Sequence, residues 1–369
     1  MQLPAGDYLG MHRDEIDTPV LLVDLDALDF NIEKMAAHFR ATGKYLRPHS
    51  KSHKTPAIAQ RQLDAGAIGI TCAKLGEAEV MADAGIRDIL IANEVVGRKK
   101  IERLMALAGR CDIMVAVDHP ANLSALDEAA GRAGVTPRVL VEVNIGHNRC
   151  GATPGTNAIE LARAAAQASH LHFAGIMGYE GHVVDLEDDS EREEKARECL
   201  QRLVDARADI EGAGLDVGIC SSSATGDYYV STTFDGITEV QAGSYALMDA
   251  AYGRLGLGFK NALTVLTTIG SRPTPHQVIT DAGLKSLTPE HGFPLVKDRS
   301  DLECHALSEE HGRLRTLDGE ACTDLNVGDL LEFIPGHGCT TVNLHDNLYV
   351  LRDGQLVDVW PVSARGKVR

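Results

Sequence analysis

Tyr45-Leu46-Arg47-Pro48-His49-Ser50-Lys51-Ser52-His53-Lys54 is the stretch at which two α/β architectures part. In a doubly wound sheet the first strand runs into a glycine-rich phosphate loop of the GxGxxG kind. Here residues 45–47 have strand character, and residues 48–54 carry two histidines, two lysines and a proline with no glycine at all. Working outward, short runs rich in β-branched residues recur at 68–72, 89–92, 113–117, 139–143, 173–177, 217–220 and 238–241. With 45–47 they make eight strands, separated by segments of helical spacing. After Asp26, for example, Leu28, Ile32, Met35 and Phe39 fall at i, i+4, i+7 and i+11, one apolar stripe on a helix that Asp26 is placed to cap. Eight strands alternating with helices over some two hundred residues predict a (β/α)8 barrel.

Beyond about residue 255 the texture changes. Apolar residues alternate with polar ones at 277–280, 328–334 and 348–359, and Arg352-Asp353-Gly354 has the composition of a hairpin turn. This predicts an antiparallel β domain after the barrel. Residues 19–24 are strand-like too and pair with that domain in this reading. The expected division is a barrel over 25–255 and a β domain made of 1–24 with 256–369.

Composition narrows the function. The 369 residues carry a formal net charge of −17, which argues against nucleic acid or an anionic membrane as partner, since either calls for a basic surface. No apolar run is long enough to cross a bilayer and residues 1–10 lack the features of a signal peptide, so a cytoplasmic location is expected. Eight scattered cysteines without CxxC pairs fit a reducing compartment. Small molecules are the expected ligands.

Residues 46–54 end the first barrel strand, at the face where barrel active sites form. An ammonium crowded by other cations gives up its proton more readily, and a neutral amine attacks an aldehyde. Lys51 is therefore a candidate covalent anchor for a cofactor.

The stretch Arg47-Pro48-His49-Ser50-Lys51-Ser52-His53-Lys54 resembles the RPHxKTHK signature of the D-threonine aldolase and D-serine dehydratase family, fold-type III pyridoxal-phosphate enzymes related to alanine racemase. The resemblance continues, in order, through Asp17-Thr18-Pro19, Thr71-Cys72-Ala73-Lys74, Asn93-Glu94-Val95-Val96-Gly97, Asn148-Arg149-Cys150-Gly151, Gly243-Ser244-Tyr245-Ala246-Leu247-Met248-Asp249, His337-Gly338-Cys339 and residues 360–367. It implies that Lys51 carries pyridoxal 5′-phosphate, that His49, Arg149 and Tyr179 lie near the cofactor, and that Gln241 faces its pyridine nitrogen. Thr225, Gly226, Gly243, Ser244 and Tyr245 would hold the phosphate, in two late barrel turns of small residues that leave backbone N–H groups accessible. The resemblance also implies a homodimer in which the β domain of one subunit reaches the other's active site.

His337-Gly338-Cys339 is a His-x-Cys pair of the kind that binds a divalent metal through imidazole and thiolate, read here as lying in a loop. Zinc or manganese is implied, with the thiolate favouring zinc. His-x-Cys is the dehydratase form of this site, whereas residues 242–249 and 360–367 resemble the aldolase branch. His182 is a candidate general base, because imidazole titrates near neutral pH. The function expected is metal-dependent cleavage of a D-3-hydroxy amino acid to glycine and an aldehyde. The alternative is a D-serine or D-3-hydroxyaspartate dehydratase giving a 2-oxo acid and ammonia, with an amino-acid racemase or a non-catalytic pyridoxal-phosphate carrier as more distant readings.

Overall fold

A computed structural model describes residues 9–184 and 186–369. The first eight residues of the expected β domain therefore lie outside the described residues. The chain forms two compact units. One holds residues 35–51, 58–243 and 366–369; the other holds the chain up to residue 34, then 52–57 and 244–365. After a short 3-10 turn at Arg13–Glu15 come strand β1 (Val20–Asp24) and helix α1 (Leu25–Thr42). Leu28, Ile32, Met35 and Phe39 are all buried, as the spacing predicts. The cap is a correction: the Ala27 amide donates to Asp24, not Asp26, at 2.9 Å. Strand runs into helix at Leu25 without a linker, so Asp26 already sits in the first turn, where it pairs with Arg352.

In the larger unit all eight predicted strands form one parallel sheet: β2 (Tyr45–Leu46), β3 (Ile70–Cys72), β4 (Asp88–Glu94), β5 (Asp112–Val117), β6 (Arg138–Glu142), β7 (His172–Met177), β8 (Ile219–Ser222) and β9 (Glu239–Val240). Its order is β2-β9-β8-β7-β6-β5-β4-β3. Hydrogen bonds from the Ile68 amide to the Leu46 carbonyl and from the Thr71 amide to the Pro48 carbonyl, with a parallel bridge between His49 and Thr71, join the first strand to the second and close the barrel. Helices α2 (Pro56–Asp64), α3 (Leu75–Asp83), α4 (Arg98–Ala108), α5 (Pro120–Ala133), α6 (Thr156–Gln167), α7 (Asp189–Gly212) and α8 (Tyr228–Ser231) alternate with the strands. Leu90, Met114, Ala116, Leu140, Ala174 and Met177 pack together from adjacent strands. Each such side chain withdrawn from water contributes roughly 1–3 kcal/mol of hydrophobic stabilisation.

The N-terminal ends of the strands are held by ions. Arg47 turns its guanidinium to Asp88 at 2.7 Å and Glu239 at 3.2 Å, and Arg138 bonds Asp88 at 2.9 Å and Asp112 at 2.7 Å. Asp88, Asp112, Arg138 and Glu239 are each the first residue of a strand. Among the described residues no helix is long and apolar enough to cross a membrane.

The second unit is a nine-stranded sheet. It comprises β1 with β10 (Leu263–Ser271), β11 (Val278–Thr280), β12 (Leu295–Val296), β13 (Leu302–Leu307), β14 (Gly312–Thr316), β15 (Leu330–Ile334), β16 (Asn347–Arg352) and β17 (Gln355–Pro361). Residues 19–24 do pair with this late sheet: β1 lies antiparallel to β10 and parallel to β16. Ile16, Val20, Leu22, Leu266, Tyr349, Leu351 and Leu356 form a core beneath it. Asp353 and Gly354, both at positive φ, make the two-residue turn between β16 and β17, as the Asp-Gly pair predicts.

Candidate active site

The charges of residues 47–54 do not crowd together as expected. Arg47 is almost wholly buried and neutralised at the barrel floor by Asp88 and Glu239, which correct the picture of a cationic cluster around Lys51. Lys51 itself lies in a short 3-10 turn at the opposite end of the strand, its amide donating to His49 Nδ1 at 3.4 Å. Among the described residues its ammonium makes no ion pair; instead it lies 5.4 Å from the centre of the Tyr179 ring. The Arg149 guanidinium lies 5.3 Å from the same ring. Lys51, Tyr179 and Arg149, predicted from three distant segments, are thus brought together by the ends of β2, β6 and β7.

His182 is exposed and stacks on His147, ring centres 5.6 Å apart, with its Nε2 3.8 Å from Cys199 Sγ. His147 also meets the Tyr179 ring edge-on at 5.7 Å. Burial lowers the His147 pKa, and Arg149, His182 and Lys51 lower it further, so this imidazole is held neutral and able to accept a proton. The sequence reading passed over His147. The signal was available in its place two residues before Arg149.

Four more groups at this end were missed. Glu94, Asp118 and Cys150 bring their oxygen and sulfur atoms within 4.8 Å of one another. Glu142 ends β6 beside them; burial first, then the charge of Glu94, pushes its carboxyl up to about 8 while Arg149 pulls the other way. Of the eight free cysteines, six are buried, and Cys150 and Cys339 are the two partly exposed ones.

The two late turns leave little room for side chains. A Cβ on Gly226 would fall 1.8 Å from the Val184 carbonyl oxygen, and one on Gly243 would fall 2.4 Å from that of His49. Thr225 is buried. Gln241 is nearly buried and donates from Nε2 to Ser221 Oγ at 2.9 Å, which fixes the amide's orientation. These backbone-lined turns, with an amine outside any ion pair and a guanidinium across one aromatic ring, suit an aldehyde that bears a phosphate.

The remaining predicted residues belong to the β unit. Ser244 and Tyr245 start its third segment in a 3-10 turn, with Tyr245 fully buried and tilted on Phe259 at 5.8 Å. The loop expected around His337 and Cys339 is a correction. After helix α9 (Ala250–Gly253), the pair meets a short helix α10 (Gly338–Val342), with His337 at its N-cap and Cys339 inside it. Asp249 fixes this turn: its Oδ2 lies 2.9 Å from His337 Nδ1 and accepts the Gly338 amide at 2.8 Å. Burial opposes protonation of His337, but hydrogen bonds to Asp249 and Cys339 prevail and raise its pKa to about 10. A carboxylate on one imidazole nitrogen is the arrangement that orients the other nitrogen toward a metal. The His291 ring lies 4.8 Å from that of His337, an approach that sequence spacing did not signal.

Residues 23–251 match the alanine racemase N-terminal domain, and residues 262–351 match a putative serine dehydratase domain. The chain is 42% identical to a D-threonine aldolase of an Arthrobacter species, over 99% of this chain and 97% of that one. This chain belongs to the D-threonine aldolase and D-serine dehydratase family. Within it, a 3-hydroxy-D-aspartate aldolase of Paracoccus denitrificans is 38% identical over 97% of this chain and 94% of its own. The crystal structure of a D-threonine aldolase from Filomicrobium marinum superposes with a TM-score of 0.94 at 39% identity, covering 98% of this chain and 99% of the other. Dehydratases of the family are more distant relatives.

Proposed function

We propose that this protein is a pyridoxal-phosphate-dependent lyase that cleaves D-3-hydroxy amino acids to glycine and an aldehyde. The observation that carries the reading is the Lys51 amine, outside any ion pair and set over Tyr179 beside Arg149. Its aldolase character is supported by relatives at 38% and 42% identity that are aldolases, against the dehydratase-like His-x-Cys.

We assign the cofactor to the barrel of residues 25–255, anchored on Lys51 with Thr225, Gly226, Gly243, Ser244 and Tyr245 at its phosphate, and His49 and Gln241 near its ring. Pyridoxal phosphate, when bound, supplies an electron sink for the pair released as the Cα–Cβ bond breaks. Tyr179 and Arg149 hold the reacting groups against one another. His182, or the neutral His147 stacked on it, takes the proton of the substrate's 3-hydroxyl. His337 and Cys339, in the β domain of residues 1–24 and 256–369, would hold a zinc or manganese ion with Asp249 orienting the imidazole. Such an ion supplies a Lewis acid that lowers a hydroxyl pKa. The acidic surface suits neither nucleic acid nor membrane, and eight free thiols suit the cytoplasm. A homodimer completes this reading.

Incubation with D-threonine and pyridoxal phosphate, with and without EDTA, tests it. Metal-dependent glycine and acetaldehyde are expected. Metal-dependent 2-oxobutanoate without glycine would instead establish the dehydratase.

A further inference from the structure

We infer that Glu180 and Asp227 share a single proton, and that this shared proton ties the loop bearing Tyr179 to the turn that holds the cofactor's phosphate. The inference rests on the reading of residues 221–226 as part of a phosphate site. Both side chains are completely buried. Glu180 Oε2 accepts from Ser222 Oγ at 2.8 Å. Asp227 Oδ1 accepts from Ser223 Oγ at 2.8 Å and from the Ala224 amide at 3.0 Å. That leaves Glu180 Oε1 and Asp227 Oδ2, buried oxygens with no donor N–H or O–H among the described residues, in two carboxyl groups that reach one another.

Two carboxylates sealed together in a dry site cannot both be ionised, and a proton between them satisfies both orphan oxygens at once. Burial, then the Asp227 charge, holds the Glu180 carboxyl well above the usual carboxylate range, and burial raises Asp227 as well. The other charged or titratable groups around them do not replace the proton. Arg192 on α7 is engaged by Gly226 O, Leu186 O and Asp189. Cys199 on α7 has a thiol pushed up to about 11 by burial and by Glu180, and it faces His182. Arg202 and Glu198 act on that thiol from the same helix.

The position gives the pair its consequence. Glu180 lies between Tyr179 and His182, and Asp227 directly follows Thr225-Gly226. The seam between the two segments is tight enough that Gly226 tolerates no Cβ against Val184. Loss of the proton would set two anions face to face across that seam, moving the aromatic ring and the phosphate turn apart. Glu180 and Asp227 are positioning residues, acting through Tyr179 and residues 225–226.

An amide can stand in for the proton on either side, but not on both. In Glu180→Gln the side-chain NH2 donates to Asp227 while its oxygen keeps Ser222; in Asp227→Asn the NH2 donates to Glu180 while Oδ1 keeps Ser223 and Ala224. In the double variant two NH2 groups oppose one another. The wild type and all three variants are compared for pyridoxal-phosphate dissociation and for thermal midpoint, with and without cofactor, across neutral and alkaline pH. A carboxyl whose folded pKa exceeds its unfolded value contributes stability that is present in acid and is lost as pH rises through the folded value. The wild type should therefore weaken toward alkaline pH, and each single variant should flatten that decline with cofactor affinity within about threefold of wild type at neutral pH. The double variant should bind cofactor on the order of tenfold more weakly than the singles combined would give. Additive effects in the double variant overturn the inference, as does an unchanged alkaline decline in both singles or the failure of both singles to fold. The midpoints of the cofactor-free protein are independent of the lyase reading, so a failure of one does not pass for a failure of the other.

Discussion

The two ends of the barrel handle charge in opposite ways. At the N-terminal ends of the strands, Arg47 and Arg138 are matched by Asp88, Asp112 and Glu239, and every one of these ions has a partner of opposite sign. At the C-terminal ends Lys51 lies over a ring without a carboxylate, while Glu94, Asp118, Glu142, Glu180 and Asp227 gather in close groups of like sign. One end spends its charges on holding the strands in register. The other keeps them available, with burial and repulsion shifting protons to where chemistry can use them. Arg47 and Lys51, four residues apart, fall on either side of this division.

Substitutions at the two ends should therefore fail differently. The largest effect is expected for Lys51→Ala, which should lower turnover of D-threonine on the order of 10³-fold while leaving the thermal midpoint of the cofactor-free protein in place. Retention of a tenth of the activity would break the comparison. Arg47→Met should do the reverse, because it strands the buried Glu239 carboxylate. Denaturant titration is expected to show a loss of about 3–5 kcal/mol, with activity per folded molecule nearly unchanged. A loss of turnover exceeding the loss of folded protein would place Arg47 in the chemistry.

The smallest effect is the one that sharpens the contrast most. Glu142, held at about 8, contributes stability below the ordinary carboxylate range and loses it as pH rises through that value. Glu142→Gln should make the fall in thermal midpoint shallower as pH rises from the ordinary carboxylate range to about 8, with little further change above that value.

The barrel was legible because each strand is a short apolar run whose neighbours in sequence are also its neighbours in the sheet. Strands β13 and β14 were passed over, since their outward positions carry Glu303, His305, Arg313 and Arg315 and the run reads as polar. In the site, Lys51, Arg149 and Tyr179 were legible as motif residues. The pairing that decides what each does was not: Arg47 meets Glu239 across 192 positions, and Asp249 meets His337 across 88. Local spacing carries no information about such partners. Glu180 and Asp227 illustrate the same limit, for a carboxylate reads as a solvated charge until its burial is known.

Strand β1 is made early and finds its neighbours late. Its antiparallel partner β10 begins about 240 residues further along the chain, and β16 comes later still. At a synthesis rate of roughly 5–20 residues per second, the apolar run Val20–Asp24 waits on the order of ten seconds or more beyond the ribosome before β10 exists to cover it. Throughout that interval the nascent chain carries an uncovered strand edge, and a chaperone that shields its first thirty residues should raise the yield of folded protein more than one acting on the finished chain.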